Sequence, residues 1–133
     1  MSSSDPTGND TFRQKIEGYF VAIDEGRIED ALEILHPNVT WCHMQVWQDD
    51  PNNPSYKRTR LEGRDAVADV LLAYEKSEEA KKDVKHQVQQ CLTSGQRCAF
   101  LGEVVGPSHT FPMMGWVDFE DDQIIRYIAA PRP

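Results

Sequence analysis

From Thr11 onward the apolar residues recur at three- and four-residue intervals, and Phe12, Ile16, Tyr19, Phe20 and Ile23 fall on one face of a predicted helix. Thr11 and Gln14 stand at capping-box spacing, and Gly26 supplies a left-handed residue at which the helix can end. A second stripe, Ile28, Ala31, Leu32 and Leu35, predicts a short helix that Pro37 ends by forcing His36 out of the helical region. At Val39 the period changes to two, so Val39, Trp41 and His43 share one face of a strand. Tyr19, Trp41 and His43 are therefore expected to look into one interior, and residues 11–43 are the expected foundation of a pocket.

Prolines, asparagines and aspartates rule out regular structure over residues 44–57. Trp47 in that loop either folds over a cavity or pins the loop to the domain or to a second subunit. A strand is predicted over residues 56–61, a third helix from Gly63 with Val67, Val70, Leu71 and Tyr74 on one face, and a polar linker over 78–83. Four strand patterns then follow, joined by turns at Thr93-Ser94-Gly95-Gln96, Gly106-Pro107-Ser108 and Glu120-Asp121-Asp122. Helices first and adjacent strands afterward is the α+β order, with helices on one face of a mostly antiparallel sheet.

Alternation assigns further side chains to faces. His86, flanked by Val84 and Val88, is expected to look inward, as are Met113 and Gly115. A single histidine or tyrosine on an apolar face is more often a core residue bonded to a backbone carbonyl than a catalyst. Three polar groups on one interior, Tyr19, His43 and His86, shift the balance toward a polar-lined pocket, because burying them unpartnered costs about 1–3 kcal/mol each. Met114 and Trp116 fall on the outer face, where large apolar groups imply a partner subunit unless the C-terminal segment covers them. His36 and His109 are expected at the surface.

Length and charge narrow the classes. The 133 residues suit one domain, read as residues 11–133 behind a flexible tail, residues 1–10, too polar to offset the entropy of ordering. A net charge of −8, with Lys57-Arg58-Thr59-Arg60 as the densest basic run, argues against nucleic acid. No apolar run approaches the roughly 20 residues that span a bilayer and no signal pattern opens the chain, so no membrane contact and a cytoplasmic location are expected. Cys42, Cys91 and Cys98 are an odd number without CxxC or finger spacing, which disfavours a disulfide framework and structural zinc. Cys42 beside His43 makes a poor nucleophile pair, since adjacent strand residues point to opposite faces.

The element order resembles the nuclear-transport-factor-2-like superfamily, also called the SnoaL-like or ketosteroid-isomerase-like fold. Tyr19 to Gly26, Leu35 to Trp41, Leu61 to Val67 and Val117 to Ile125 carry the resemblance. It implies a cone-shaped, curved, mixed but mostly antiparallel sheet wrapped around three N-terminal helices, and commonly a homodimer paired through the outer sheet face. In the ketosteroid-isomerase pattern a helix tyrosine and a protonated acid hold a developing oxyanion while an aspartate shuttles the proton. Tyr19 matches the tyrosine, His43 falls at the shuttle, and Gly115 falls at the acid, which removes one donor. In the dehydratases of the superfamily a strand histidine works beside a tyrosine and a carboxylate, and His86 falls at that position, with Asp24 or Glu103 as the possible carboxylate.

The resemblance and the residues together imply a cofactor-independent, metal-free dehydratase or isomerase of a small hydrophobic carbonyl compound. Tyr19 would hold the oxygen, His86 or His43 would move the proton, and Trp41, Trp47, Phe100, Glu103 and Phe111 would contact the substrate. The alternative is a non-catalytic ligand-binding or dimerisation domain of the same fold.

Overall fold

The stripe on the first helix is buried as its spacing requires. In the computed structural model, which describes residues 7–77 and 83–132, α1 (Thr7–Asp24) buries Phe12, Ile16, Tyr19 and Phe20 against a six-stranded sheet. The helix starts at Thr7, so the Thr11 capping box lies inside it; residues 1–6 of the expected tail lie outside the described residues. Gly26 closes it at φ 76°, with the Arg27 N–H reaching back to the Ala22 carbonyl at 2.7 Å, as a left-handed C-terminal cap does.

Helix α2 (Ile28–Ile34) ends before His36, and β1 (Leu35–Met44) begins at once, running through Pro37 with an irregular register before Thr40. β2 (Arg58–Glu62) and α3 (Arg64–Glu75) follow, then the meander β3 (Lys85–Ser94), β4 (Arg97–Val105), β5 (Thr110–Glu120) and β6 (Gln123–Pro131). The strand order is β2-β1-β6-β5-β4-β3, with β1 and β6 parallel and the other four pairings antiparallel. Three helices against this mixed, mostly antiparallel open sheet are the α+β arrangement expected. On α3, Val67 and Leu71 are buried while Val70 is exposed, because it lies to one side of the stripe that Val67, Leu71 and Tyr74 define. Residues 78–82 of the expected linker lie outside the described residues.

Two extra residues decide which side chains face the helices. In β3 the register skips Gln89, so both Val88 and Cys91 are buried, and Arg13 from α1 donates to the Val88 carbonyl at this bulge at 3.0 Å. In β6 it skips Ile125, so Ile124 and Tyr127 both face inward although three residues apart.

Cys91 and Cys98 form a disulfide, Cα to Cα 6.4 Å, which corrects the expectation of three unpaired thiols. The β3–β4 register sets Cys91 opposite Phe100 and Cys98 opposite Thr93, so the two cysteines are diagonal neighbours across strands. Hairpin register creates this proximity, and spacing rules for CxxC motifs do not see it. No described helix is long and apolar enough to cross a membrane.

Candidate active site

The inner face of β1 and the last two turns of α1 bring the polar groups together. Trp41 donates its indole N–H to the Tyr19 hydroxyl at 2.9 Å in the buried interior. Burial pushes the Tyr19 phenol well above its usual range, and the Trp41 hydrogen bond offsets this only in part, so the hydroxyl keeps its proton.

Five residues beyond Tyr19, Asp24 reaches the first turn of β3. Its Oδ2 accepts the backbone N–H of His86 at 2.7 Å, and its Oδ1 lies 2.7 Å from His86 Nδ1. A carboxylate can only accept, so Nδ1 carries a proton, and in the neutral ring it is Nε2 that presents the lone pair. Phe20 lies flat on the imidazole, with ring centroids 4.9 Å apart and planes 3° from parallel. The His86 ring is thus fixed by a carboxylate at its edge and a phenyl on its face.

His43, two residues along β1 from Trp41, stacks on the indole with centroids 5.4 Å apart. Burial lowers its pKa to about 4, and the nearby His86 acts in the same direction, so His43 is neutral at neutral pH. Tyr127 on β6, whose Cα pairs with that of Trp41, lies against the other aromatic groups: 5.6 Å from Trp41 and nearly parallel, and 5.3 Å from Tyr19. Its phenol is pushed well above the usual range by burial first, then by Tyr19 and Asp24. Sequence reasoning did not single it out, since alternation counted from Ile124 directs Tyr127 outward and the Ile125 bulge reverses that.

The other expected site residues divide. Phe100 is buried and meets Phe20 edge to face at 5.8 Å. A Cβ added at Gly115 would lie 2.8 Å from the Phe100 ring and 2.0 Å from the Ile128 carbonyl, so no acid side chain fits there. Phe111 is half-buried and meets Trp47 edge to face at 5.0 Å. Trp47 covers Gly106, at which a Cβ would come within 2.4 Å of the indole, so the long loop is pinned over the β4–β5 turn. Glu103 lies on the other face of the sheet, where it accepts from Gln89 at 2.9 Å, because it alternates with buried Gly102 and Val104. His109 is exposed as expected, whereas the His36 side chain is only 12% exposed and sits 3.3 Å from Glu120.

An open cleft of about 360 Å³ between the ends of α1 and α3 and the start of β3 reaches Asp24, and Glu25, Glu75 and Asp83 share its walls. Among the described residues, His36, Glu120 and Asp121 cluster closely enough to hold a metal. His36 Nδ1 accepts the Asn38 N–H at 3.0 Å, which leaves the proton on Nε2, the atom facing Glu120 and the one a metal would need.

Solved structures share this architecture at low sequence identity. Bal32a, from a soil-derived mobile gene cassette, matches with a TM-score of 0.67 at 12% identity over 92% of this chain and 90% of its own. A candidate ketosteroid isomerase from Kribbella flavida matches with 0.66 at 14% identity, covering 94% and 80%. An NTF2-like protein from Burkholderia pseudomallei matches with 0.64 at 18%, covering 92% and 91%. At these identities the likeness establishes the fold alone. No curated protein matches the chain in sequence. The SnoaL-like domain model matches residues 16–127, a span that takes in Tyr19, Asp24, His43, His86 and Tyr127, and the chain belongs to that family of small-molecule-binding proteins.

Proposed function

We propose that this protein is a cofactor-independent dehydratase or isomerase of a small hydrophobic carbonyl compound, with His86 as the base. The observation that carries this reading is the 2.7 Å contact between Asp24 and His86 Nδ1 on the same interior as Tyr19. Asp24 fixes the tautomer and supports the imidazolium that forms, the role a carboxylate plays for a general-base histidine. His86 Nε2 takes a proton from the carbon next to the carbonyl. The electron pair moves onto the oxygen, where the Tyr19 hydroxyl donates a hydrogen bond. In a dehydratase the protonated His86 then gives that proton to a departing β-hydroxyl as the double bond forms. In an isomerase it returns the proton to another carbon. His43, with its lowered pKa, is a weak base and serves as a neutral wall of the site.

The test is a panel of hydrophobic β-hydroxy ketones, scored by absorbance of the enone that elimination produces. Wild-type turnover that falls about 10²–10⁴-fold in His86→Gln supports the reading. Equal rates for the two proteins would sink it.

The second part of the proposal is a homodimer paired through the outer sheet face, which is also what a non-catalytic dimerisation domain would use. It is supported by Leu92, Met114 and Trp116, 76%, 40% and 41% exposed, around a groove of about 380 Å³. We also propose residues 11–133 as a single domain, and the cytoplasm as its location. Cytoplasmic thiols stay reduced, so protein quenched directly from cells would then titrate with three free thiols, against one, Cys42, if the Cys91–Cys98 bond is present there.

A further inference from the structure

β3 pairs with β4 in two registers. From Gln90 to Ser94 it continues the hairpin, with Gln90 opposite Leu101 and Cys91 opposite Phe100. From Lys85 to Val88 it runs one residue out of step, with Val88 opposite Gly102 and His86 opposite Val104. Gln89 is the residue left over, and it is what turns His86 toward the helices. Were the hairpin register carried through the strand, His86 would stand opposite Val105 and face the outer side of the sheet, while Gln87 and Gln89 took the inward places. The Cys91–Cys98 disulfide fixes the hairpin half, so such a slip is confined to residues 85–89.

Resting on the proposed base role of His86, we infer that Arg13 is a positioning residue for that base: it clamps the bulge, and the bulge aims the imidazole. Arg13 Nη2 donates to the Val88 carbonyl at 3.0 Å and to the Gln89 carbonyl at 3.5 Å, a charged donor on the two oxygens at the irregular step. Glu17, one turn further along α1, lies 3.5 Å from Arg13 Nε and steadies the guanidinium. β4 cooperates through Gly102, where a Cβ would run into the Gln87 carbonyl oxygen, so glycine is what leaves room for the bulged backbone. Helix α1 therefore grips β3 twice, by Arg13 at the bulge and by Asp24 at His86, and the second grip exists only in the register that the first one holds. Burial of Val88 favours the same register, and Arg13 adds its hydrogen bonds to that preference. Arg13 acts through His86, so its loss lowers the fraction of molecules with an inward base and leaves the chemistry of that fraction unchanged.

Cross-strand nuclear Overhauser contacts read which residue of β4 stands opposite His86, and deuterium exchange beside the carbonyl of a hydrophobic ketone reads the base. Arg13→Ala is expected to shift the balance of registers about 10- to 100-fold toward the regular one, the scale of a hydrogen bond from a charged group. Contacts of an opposed pair then appear between His86 and Val105, and kcat for exchange falls with KM unchanged. Deleting Gln89 from the Arg13→Ala protein makes the inward register the regular one, and is expected to restore both the pairing with Val104 alone and the wild-type rate. An arginine that served stability only would not be rescued by removing a residue from another element. Pairing with Val104 alone in Arg13→Ala overturns the inference, as does a loss of exchange that the deletion leaves unrepaired. Absence of exchange in the wild-type protein overturns the base role of His86 instead, and the Overhauser contacts by themselves then decide whether Arg13 sets the register.

Discussion

The two faces of the central strands break the rule of burial in opposite ways. On the inner face, β1 and β6 turn Trp41, His43 and Tyr127 toward the helices, so polar atoms are buried where apolar ones are the norm. On the outer face, β3, β4 and β5 set Leu92, Ala99 and Trp116 in one row, so large apolar groups meet solvent. The next row along is ionic: Arg97 pairs with Asp118 at 2.6 Å, Arg126 approaches the same carboxylate at 3.7 Å, and Arg97 lies over the Trp116 ring at 5.7 Å. Inward polar groups suit a ligand with matching donors and acceptors, whereas an exposed apolar band bordered by charges suits a broad protein surface. One sheet thus supports two different expectations, and mutations on either face should leave the other's property intact.

The largest separation is expected from Asp24→Asn, which keeps the shape of the pair but lets the amide face His86 Nδ1 with an N–H, reversing the favoured tautomer. Turnover of any substrate found should fall about 10²–10⁴-fold with the oligomeric state unchanged, checked by rate assay and light scattering. On the other face, Trp116→Asp puts a charge into the apolar band and should raise the dimer dissociation constant at least 100-fold, measured by sedimentation, with ligand binding retained. His43 sharpens the contrast through pH. Its folded pKa of about 4 lies below the ordinary 6.5, so the unfolded chain binds a proton that the folded chain refuses as pH falls from 6.5 toward 4. That costs about 3 kcal/mol of stability at the acid end and nothing above pH 6.5. His43→Asn should flatten this part of the curve in denaturant titrations at stepped pH. The smallest effect is expected from Tyr19→Phe, which orphans the buried Trp41 N–H and should lower stability by about 1–3 kcal/mol in the same titrations.

Periodicity was enough to read the helix stripes and the meander, because each of those elements signals its own burial. It also placed Tyr19, Trp41, His43 and His86 on the inner face, since each lies in a stretch with regular spacing. The sequence leaves Asp24 between solvent and site, because its partner lies 62 residues away and no local pattern encodes that contact. Tyr127 and the Cys91–Cys98 pair were missed for a related reason. A bulge resets the alternation before Tyr127, and register across a hairpin, not spacing along the chain, joins the cysteines. Glu103 neighbours the site strand in sequence order, yet its own alternation with Gly102 and Val104 places it outside.

Proton removal next to a carbonyl by His86, held by Asp24, can be tested without knowing the natural substrate. Hydrophobic ketones incubated with the protein in deuterium oxide would be followed by proton NMR for loss of the hydrogen on the carbon beside the carbonyl. Exchange by the wild-type protein is expected, dropping to the buffer rate in His86→Gln. Exchange that proceeds equally in both proteins would contradict it, as would wild-type exchange no faster than buffer across the whole panel.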